Sequence, residues 1–351
     1  MPMTSRERVL TAFEHREPDR VPVWCGSSPE FWRKAKSHLG LEDDEALRLR
    51  FGDDFRRLYA TYVGPDVALR HPDATCRTPF GIERHGLGYG QPLAHPLADA
   101  GLDGVHAYPW PDPAWMDPSG LRAEAEQWAG EYAVLGGDWS PFWHDAIDLL
   151  GIEGLYYKMH DHPVLVDAVL QHLVDYYAAV SERIFEAAAD VMDIFFIGND
   201  FGGQTGPLLG EGLFRRFMLP HLKRLTDLGH AYGLKAMLHC CGGFRELLPA
   251  MIEAGLDGVH AIQPCCTGMG LARLKADFGD SILFNGAIDS QHVLIEGTPD
   301  LVRERTREVL AIMMPGGGYV AGASHDYILE ETPVENVLAM FDAVREFGVY
   351  A

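Results

Sequence analysis

His239 and Cys241 stand two residues apart where an apolar run ends, in Leu238-His239-Cys240-Cys241-Gly242-Gly243. In an extended strand residues i and i+2 face the same way, so this spacing presents an imidazole nitrogen and a thiol sulfur side by side. That pair suits a borderline-soft cation such as Zn²⁺. Two donors are half a site, and the rest of the chain has to supply the remainder. Polar residues close several other apolar runs: Trp24 and Cys25, Asp138, Asn199 and Asp200, Gln263 before Cys265 and Cys266, Asn285 with Asp289, and Ser324-His325-Asp326.

The elements that would position these groups follow from periodicity and breakers. Thr4-Ser5-Arg6-Glu7 reads as a capping box opening a helix to about His15. Arg20 to Trp24 is a short strand candidate, and residues 28–60 look helical. From Gly64 to Gly120 a stretch rich in Pro, Gly, His and Asp reads as an excursion folded over the core, because Tyr108, Trp110 and Trp115 need burying. Short apolar strands then alternate with amphipathic helices: strands near 131–136, 191–197, 235–239, 258–262, 281–285 and 318–321, with Pro220 interrupting the helix at 212–232. That alternation indicates βαβ units around a parallel sheet.

No Gly-x-Gly-x-x-Gly follows an early strand, and Gly316-Gly317-Gly318 precedes one, so a dinucleotide-binding open sheet is disfavoured. The expected fold is α/β, a (β/α)₈ TIM barrel with an N-terminal helical extension and a long early excursion. It forms one domain over residues 1–351, with about 1–125 as extension and first strands and about 126–351 as regular βα units. The octapeptide Ala-Gly-Leu-Asp-Gly-Val-His-Ala occurs at 100–107 and again at 254–261. The flanks diverge at once, which argues against duplication.

Bulk properties exclude several classes. The formal charge is −22, from 29 basic and 51 acidic side chains. That field repels phosphate backbones and anionic lipid, so neither nucleic acid nor membrane is an expected partner. Met1 to Val21 has the composition of neither a signal nor a transit peptide, and no apolar run of ~18 residues could span a bilayer. Six cysteines in such a chain predict reduced thiols and a cytoplasmic location.

In a barrel, catalytic residues gather just after the strands, at one pocket. His325 follows the last strand and could approach His239 and Cys241 across the mouth, leaving a fourth position open as catalytic zinc requires. Asp326 or Asp200 could be a fourth ligand or an imidazole partner. Competing readings stand beside these. Cys265 and Cys266 are alternative ligands, Cys240 is packing, and Asp200 and Asp289 could be helix N-caps. His160-Asp161-His162 is a solvated helix start, and Trp139, Phe142 and Trp143 line either a pocket or the core.

Several phrases carry a resemblance: Ser5-Arg6-Glu7-Arg8-Val9, Glu17-Pro18-Asp19-Arg20-Val21-Pro22, Leu238-His239-Cys240-Cys241-Gly242 before a helix, Gly316-Gly317-Gly318-Tyr319 before the last strand, and Thr332-Pro333-Val334-Glu335-Asn336. Together they resemble the uroporphyrinogen decarboxylase superfamily, from residue 5 to about 347. The resemblance implies a (β/α)₈ barrel with its cleft at the carboxyl ends of the strands. Decarboxylases of that superfamily carry Met-Arg-Gln-Ala-Gly-Arg after the first strand, to hold the substrate's acid groups. Here Val23-Trp24-Cys25-Gly26-Ser27-Ser28 stands there, with no arginine. The other branch, cobalamin-dependent methyltransferases, is similar in its His-x-Cys zinc half-site. Its distant cysteine falls near Ser324-His325 in this chain, which departs from the pattern and leaves the third ligand open.

The expectation is therefore a zinc-dependent methyltransferase moving a methyl group between a corrinoid, carried as co-substrate on a partner protein, and a thiol or methoxy substrate. His239, Cys241 and His325 would hold zinc. Asp200 and Asp138 are the candidate catalytic acids, and Trp24, Asn199, Gln263, Asn285 and Asp289 the candidate substrate contacts. A metal-independent decarboxylase of a smaller acid, using Asp138 or Asp200, is the alternative, and a non-catalytic barrel that binds a corrinoid protein is the second. Besides the small-molecule substrate and the corrinoid protein, the expected partner is a second copy of the chain in a homodimer.

Overall fold

A computed structural model describes residues 2–66, 68–86 and 90–350. Its first helix, Ser5–Phe13, starts where the capping box places it. The Thr4 hydroxyl accepts from the Glu7 N–H at 3.1 Å, and the Glu7 carboxylate accepts from the Thr4 N–H at 2.8 Å. Val9, Ala12 and Phe13 of this helix are buried.

Seven strands make one parallel sheet, each hydrogen-bonded to the next in chain order: β1 (Phe55–Arg57), β2 (Ala133–Gly136), β3 (Ile194–Gly198), β4 (Lys235–His239), β5 (Gly258–Ile262), β6 (Leu283–Ile288) and β7 (Tyr319–Ala323). Alternation along the strands sorts their side chains onto two faces. Phe55, Leu135, Phe196, Met237, Leu283 and Val320 form one core with Val9 and Phe13. Val134, Phe195, Ile197, Leu238, Val259 and Phe284 belong to the other, with the helices. Separate cores on opposite faces fit a sheet curled around its inner face. Phe13 reaches the start of β5, 3.1 Å from where a Cβ on Gly258 would stand, so the first helix fills the amino-terminal end.

Both edges of the sheet meet the same short segment. Val23 bridges Ala321 of β7 in parallel, and on the other side the Asp54 N–H donates to the Val23 carbonyl at 3.0 Å. The fully buried Asp54 carboxylate accepts from the Val23 N–H and from the guanidinium groups of Arg8 and Arg20.

One expectation changes. Residues 28–60 are not helical throughout: helix Pro29–Leu39 ends at Gly40 and helix Asp44–Phe51 at Gly52, whose φ of 81° suits glycine, and β1 follows. Three residues reading Phe-Arg-Arg carry too little alternation to announce a strand. The expectation for Pro220 holds: a wider π turn over Phe214–Met218 interrupts the helical run, and Pro220 sits in the first turn of the helix that resumes, Leu219–Ala231. The excursion forms small antiparallel pairs, such as Thr61–Tyr62 with Met116–Asp117, and packs on helix Pro163–Ala188. There the Phe80 ring lies 5.2 Å from Tyr176 and 5.7 Å from Tyr177. Among the described residues no helix is long and apolar enough to cross a membrane.

Candidate active site and metal centre

The inner face turns polar at the carboxyl ends of the strands. Two residues on from inner-core Phe55, Met237 and Leu283 stand Arg57, His239 and Asn285, and the register pairs His239 with His260 and His260 with Asn285. On β3 the matching position is Gly198. A Cβ there would lie 2.0 Å from the Trp139 ring, so the glycine makes room for that indole. Left-handed backbone marks the same end: Ala261, one residue after His260, and Ala287, two after Asn285, have φ of 70° and 76°.

Three donors converge. The His239 Nε2 lies 3.3 Å from the Cys241 sulfur and 3.3 Å from an Asp200 oxygen. The same carboxylate oxygen accepts from the Cys241 N–H at 2.6 Å, and the other faces His144 Nε2 at 3.3 Å. Burial alone would raise the Asp200 pKa, but His144 and His239 hold it well below the ordinary carboxylate range. Burial opposes charge on His239 too, and Cys241 and Asp200 overcome it, raising the imidazole well above its usual value. Burial pushes the Cys241 thiol up, with His239 offsetting part of the effect. On the far side, His239 Nδ1 meets His260 Nδ1 at 3.2 Å. Burial first, then His239 and Arg57, hold His260 well below its usual pKa, so it is neutral.

The remaining candidates divide by what their polar atoms do. His325 meets its own loop through one ring nitrogen: its Nδ1 lies 3.0 Å from the Tyr327 carbonyl and 3.2 Å from the Tyr327 nitrogen. Among the described residues, the donor groups compact enough for one ion are Asp200-His239-Cys241 and His239-His260-Asp326, and neither includes His325. Asn199 spends its amide on backbone, accepting from the Trp143 N–H and donating to the Ser140 carbonyl. Gln263 accepts from the Gly242 N–H at 2.6 Å, which holds the loop that carries Cys241. Asp289 caps the turn at Ser290–Ile295, accepting from Gln291 and His292. Asp138 accepts from the Ser140 N–H, away from the donor cluster, and burial pushes its carboxyl up to about 6. Among the described residues, Asn285 Oδ1, Trp24 Nε1, His260 Nε2 and both Asp326 oxygens are buried without a hydrogen-bond partner. Cys240 packs in the outer core, and its sulfur accepts from the Phe201 N–H.

Comparison with known proteins places the chain. The signature described as uroporphyrinogen decarboxylase (URO-D) matches residues 121–347. The chain belongs to the uroporphyrinogen decarboxylase family. A uroporphyrinogen decarboxylase of Alkalilimnicola ehrlichii is 26% identical over 372 residues, covering 99% of this chain and 96% of that protein. The methylcobamide:CoM methyltransferase MtbA of Methanosarcina acetivorans is 21% identical over 231 residues, 65% of this chain and 62% of its own length. A solved methyltransferase from Methanosarcina mazei superposes with a TM-score of 0.71 at 19% identity, covering 98% of this chain and 99% of that one, which shows the likeness of fold. The family's named relatives are thus enzymes of both kinds.

Three residues of this family member escaped the sequence reading: His144, His260 and Arg57. His144 lies on helix Phe142–Leu150 and only the fold brings it to Asp200. His260 and Arg57 had a signal, since each occupies the inward parity at its strand's carboxyl end. The Arg57 guanidinium lies against rings, 4.5 Å from the Trp139 centroid, 4.7 Å from Phe196 and 4.8 Å from Tyr59.

Proposed function

We propose that this chain is a zinc-dependent methyltransferase that moves a methyl group between a corrinoid on a partner protein and a small thiol or methoxy substrate. The supporting observation is the nitrogen, sulfur and oxygen donor set of His239, Cys241 and Asp200. Donors on a tetrahedral zinc with bonds of about 2.0–2.3 Å sit roughly 3.3–3.7 Å apart. The two 3.3 Å separations from His239 Nε2 therefore fit the ion. We assign Asp200 as the third ligand in place of His325, because Asp200 stands in a compact donor group with His239 and Cys241 and His325 does not. We further take Pro22–Trp24 as the eighth staves' position of a (β/α)₈ barrel, since it contacts both sheet edges.

Zinc in that site would stabilise the thiolate of a bound thiol, or take up charge on a departing methoxy oxygen. The chain's own groups prepare the place. Asp200 fixes the Cys241 backbone and orients His239 and His144, while neutral His260 holds the other face of the His239 ring. The Trp139 ring packs 5.3 Å from that of His239.

Size favours a small substrate. The cavity that reaches Trp24 and Arg57 holds about 210 Å³. That is below the roughly 300–1,000 Å³ of drug-sized ligand sites, although none of His239, Cys241 and Asp200 lines it. A metal-independent decarboxylase remains the second reading. It is favoured by the relative matched over the full length and by Asp138, a carboxyl that can hold a proton near pH 6. The test is to follow loss of methylcobalamin absorbance with the zinc-loaded protein and a panel of thiols, then the reverse reaction with methoxy compounds. Transfer that disappears in His239→Ala and Cys241→Ala supports the proposal. No transfer with any acceptor, together with metal-free release of CO₂ from a small acid, establishes the second reading instead.

A further inference from the structure

Behind the His239 ring lies a second group of donors that the zinc centre does not use. Asp326 is only 4% exposed, and neither of its oxygens has a hydrogen-bond partner among the described residues. The nearest basic nitrogen is His260 Nδ1, at 3.8 Å. The backbone there is pinned, since a Cβ on Gly26 would lie 2.1 Å from the Asp326 carbonyl oxygen and the Ile328 N–H donates to the Gly26 carbonyl at 2.9 Å. A buried carboxylate without a partner is costly, so it calls for a positive charge beside it. His260 is fully buried, with its ring held between those of Trp24 at 4.6 Å and Phe196 at 5.3 Å. Its strand partner His239 brings a further Nδ1 to within 3.2 Å of His260 Nδ1.

The donor atoms of His239, His260 and Asp326 all lie within 4.8 Å of one another. Two nitrogens each about 2.1 Å from one ion, with about 100° between the bonds, stand about 3.2 Å apart. The two Nδ1 atoms already have that separation. The carboxylate has to swing in by roughly half an ångström, and no hydrogen bond holds it back. This group differs in kind from Asp200-His239-Cys241. It has no sulfur, and it takes His239 by the opposite ring nitrogen. Thiolate draws Zn²⁺, whereas two imidazoles and one carboxylate are a donor set of non-haem Fe²⁺. An imidazole bound at both nitrogens must give up its last proton, so the two groups are filled one at a time.

We propose that His239, His260 and Asp326 form a second metal site, for a harder divalent ion such as Fe²⁺, which competes with the zinc centre for the His239 ring. Zinc in the thiolate group leaves Asp326 and His260 as supports behind the ring. Iron in the second group takes His239 away from Cys241 and Asp200, so iron loading blocks zinc loading. The ligand set stands without the methyl-transfer reading, and only the competition rests on the zinc centre.

Equilibrium dialysis of the metal-free, full-length protein against Fe²⁺ in the absence of oxygen should show one bound ion. X-ray absorption at the iron edge should show nitrogen and oxygen neighbours and no sulfur. Asp326→Asn and His260→Gln should each weaken iron binding at least about tenfold, while Cys241→Ala keeps it. Zinc should show the reverse pattern, lost in Cys241→Ala and kept in Asp326→Asn, a retention that also shows the variant to be folded. Protein loaded with iron first should take up zinc only as iron leaves. No bound Fe²⁺, a sulfur neighbour on the iron, iron binding unchanged in both variants, or both ions held at once overturns the proposal. Iron bound in this way by a protein that takes no zinc upholds the second site and removes the zinc reading. Zinc held by Cys241 in a protein that takes no iron does the opposite.

Discussion

Asp138 shows how desolvation can outweigh the hydrogen bond and cation that oppose it, here the Ser140 N–H and Arg57. Its carboxyl stands at about 6, above the ordinary 3.8, because the folded chain desolvates it. The folded state therefore holds the proton more tightly than the unfolded state. The stability tied to that proton is full below the unfolded pKa and is lost as pH rises through about 6. At about 1.4 kcal/mol per unit, the loss is about 3 kcal/mol. Asp138→Asn, which cannot ionise, should escape it. Urea unfolding should show the variant gaining about 3 kcal/mol on the native chain between about pH 4 and about pH 7, whereas a constant gap would refute the assignment. The same scale shows what could be read in advance. His239 and Cys241 were legible because i, i+2 parity needs no knowledge of distant chain. Asp200 and His325 were both named, but their parts depend on loops: one follows β3 directly beside β4, while the other folds back on its own backbone at Tyr327.

At the scale of elements, the loop carrying Cys241 is fixed by glycine. Gly242 has φ of 85°, and a Cβ there would lie 2.4 Å from the Gly202 carbonyl carbon. Gly203 and Gly243 form a bridge across the same contact. Neither loop can retreat without breaking it. Gly242→Ala should cost about 2–4 kcal/mol from left-handed strain plus overlap, read by denaturant midpoint, and should weaken zinc binding as Cys241 shifts. A variant as stable as the native chain would show that the loops are not locked. The repeated octapeptide shows why elements are only partly legible. At 100–107 it contains helix Leu102–His106 with His106 exposed, whereas at 254–261 it turns into β5 with His260 fully buried. The same eight residues take either form, and the difference is made by neighbours: β4 and β6 pair with the second copy and not the first. Long runs such as Ile194–Gly198 needed no such help, while Phe55–Arg57 depends on β2 beside it.

For the whole molecule, the critical joint is where the ends of the sheet meet. Asp54 is fully buried and ties Val23, Arg8 and Arg20 together beside β1. Removing it leaves two guanidinium groups without their shared partner, so Asp54→Ala should lose about 3–5 kcal/mol in equilibrium unfolding. A loss below about 1 kcal/mol would mean that the joint contributes little to the fold. The closed joint matters for function because it brings Trp24 onto the inner face beside His260, with their rings 4.6 Å apart. The central claim is that this end of the molecule holds zinc through His239, Cys241 and Asp200. Anomalous diffraction at the zinc edge, from crystals of the zinc-loaded protein, tests it most directly. One peak bonded to His239 Nε2, the Cys241 sulfur and an Asp200 oxygen is predicted, and it should vanish in Cys241→Ala. A zinc peak that leaves Cys241 unligated, or no peak at this site, would contradict the account.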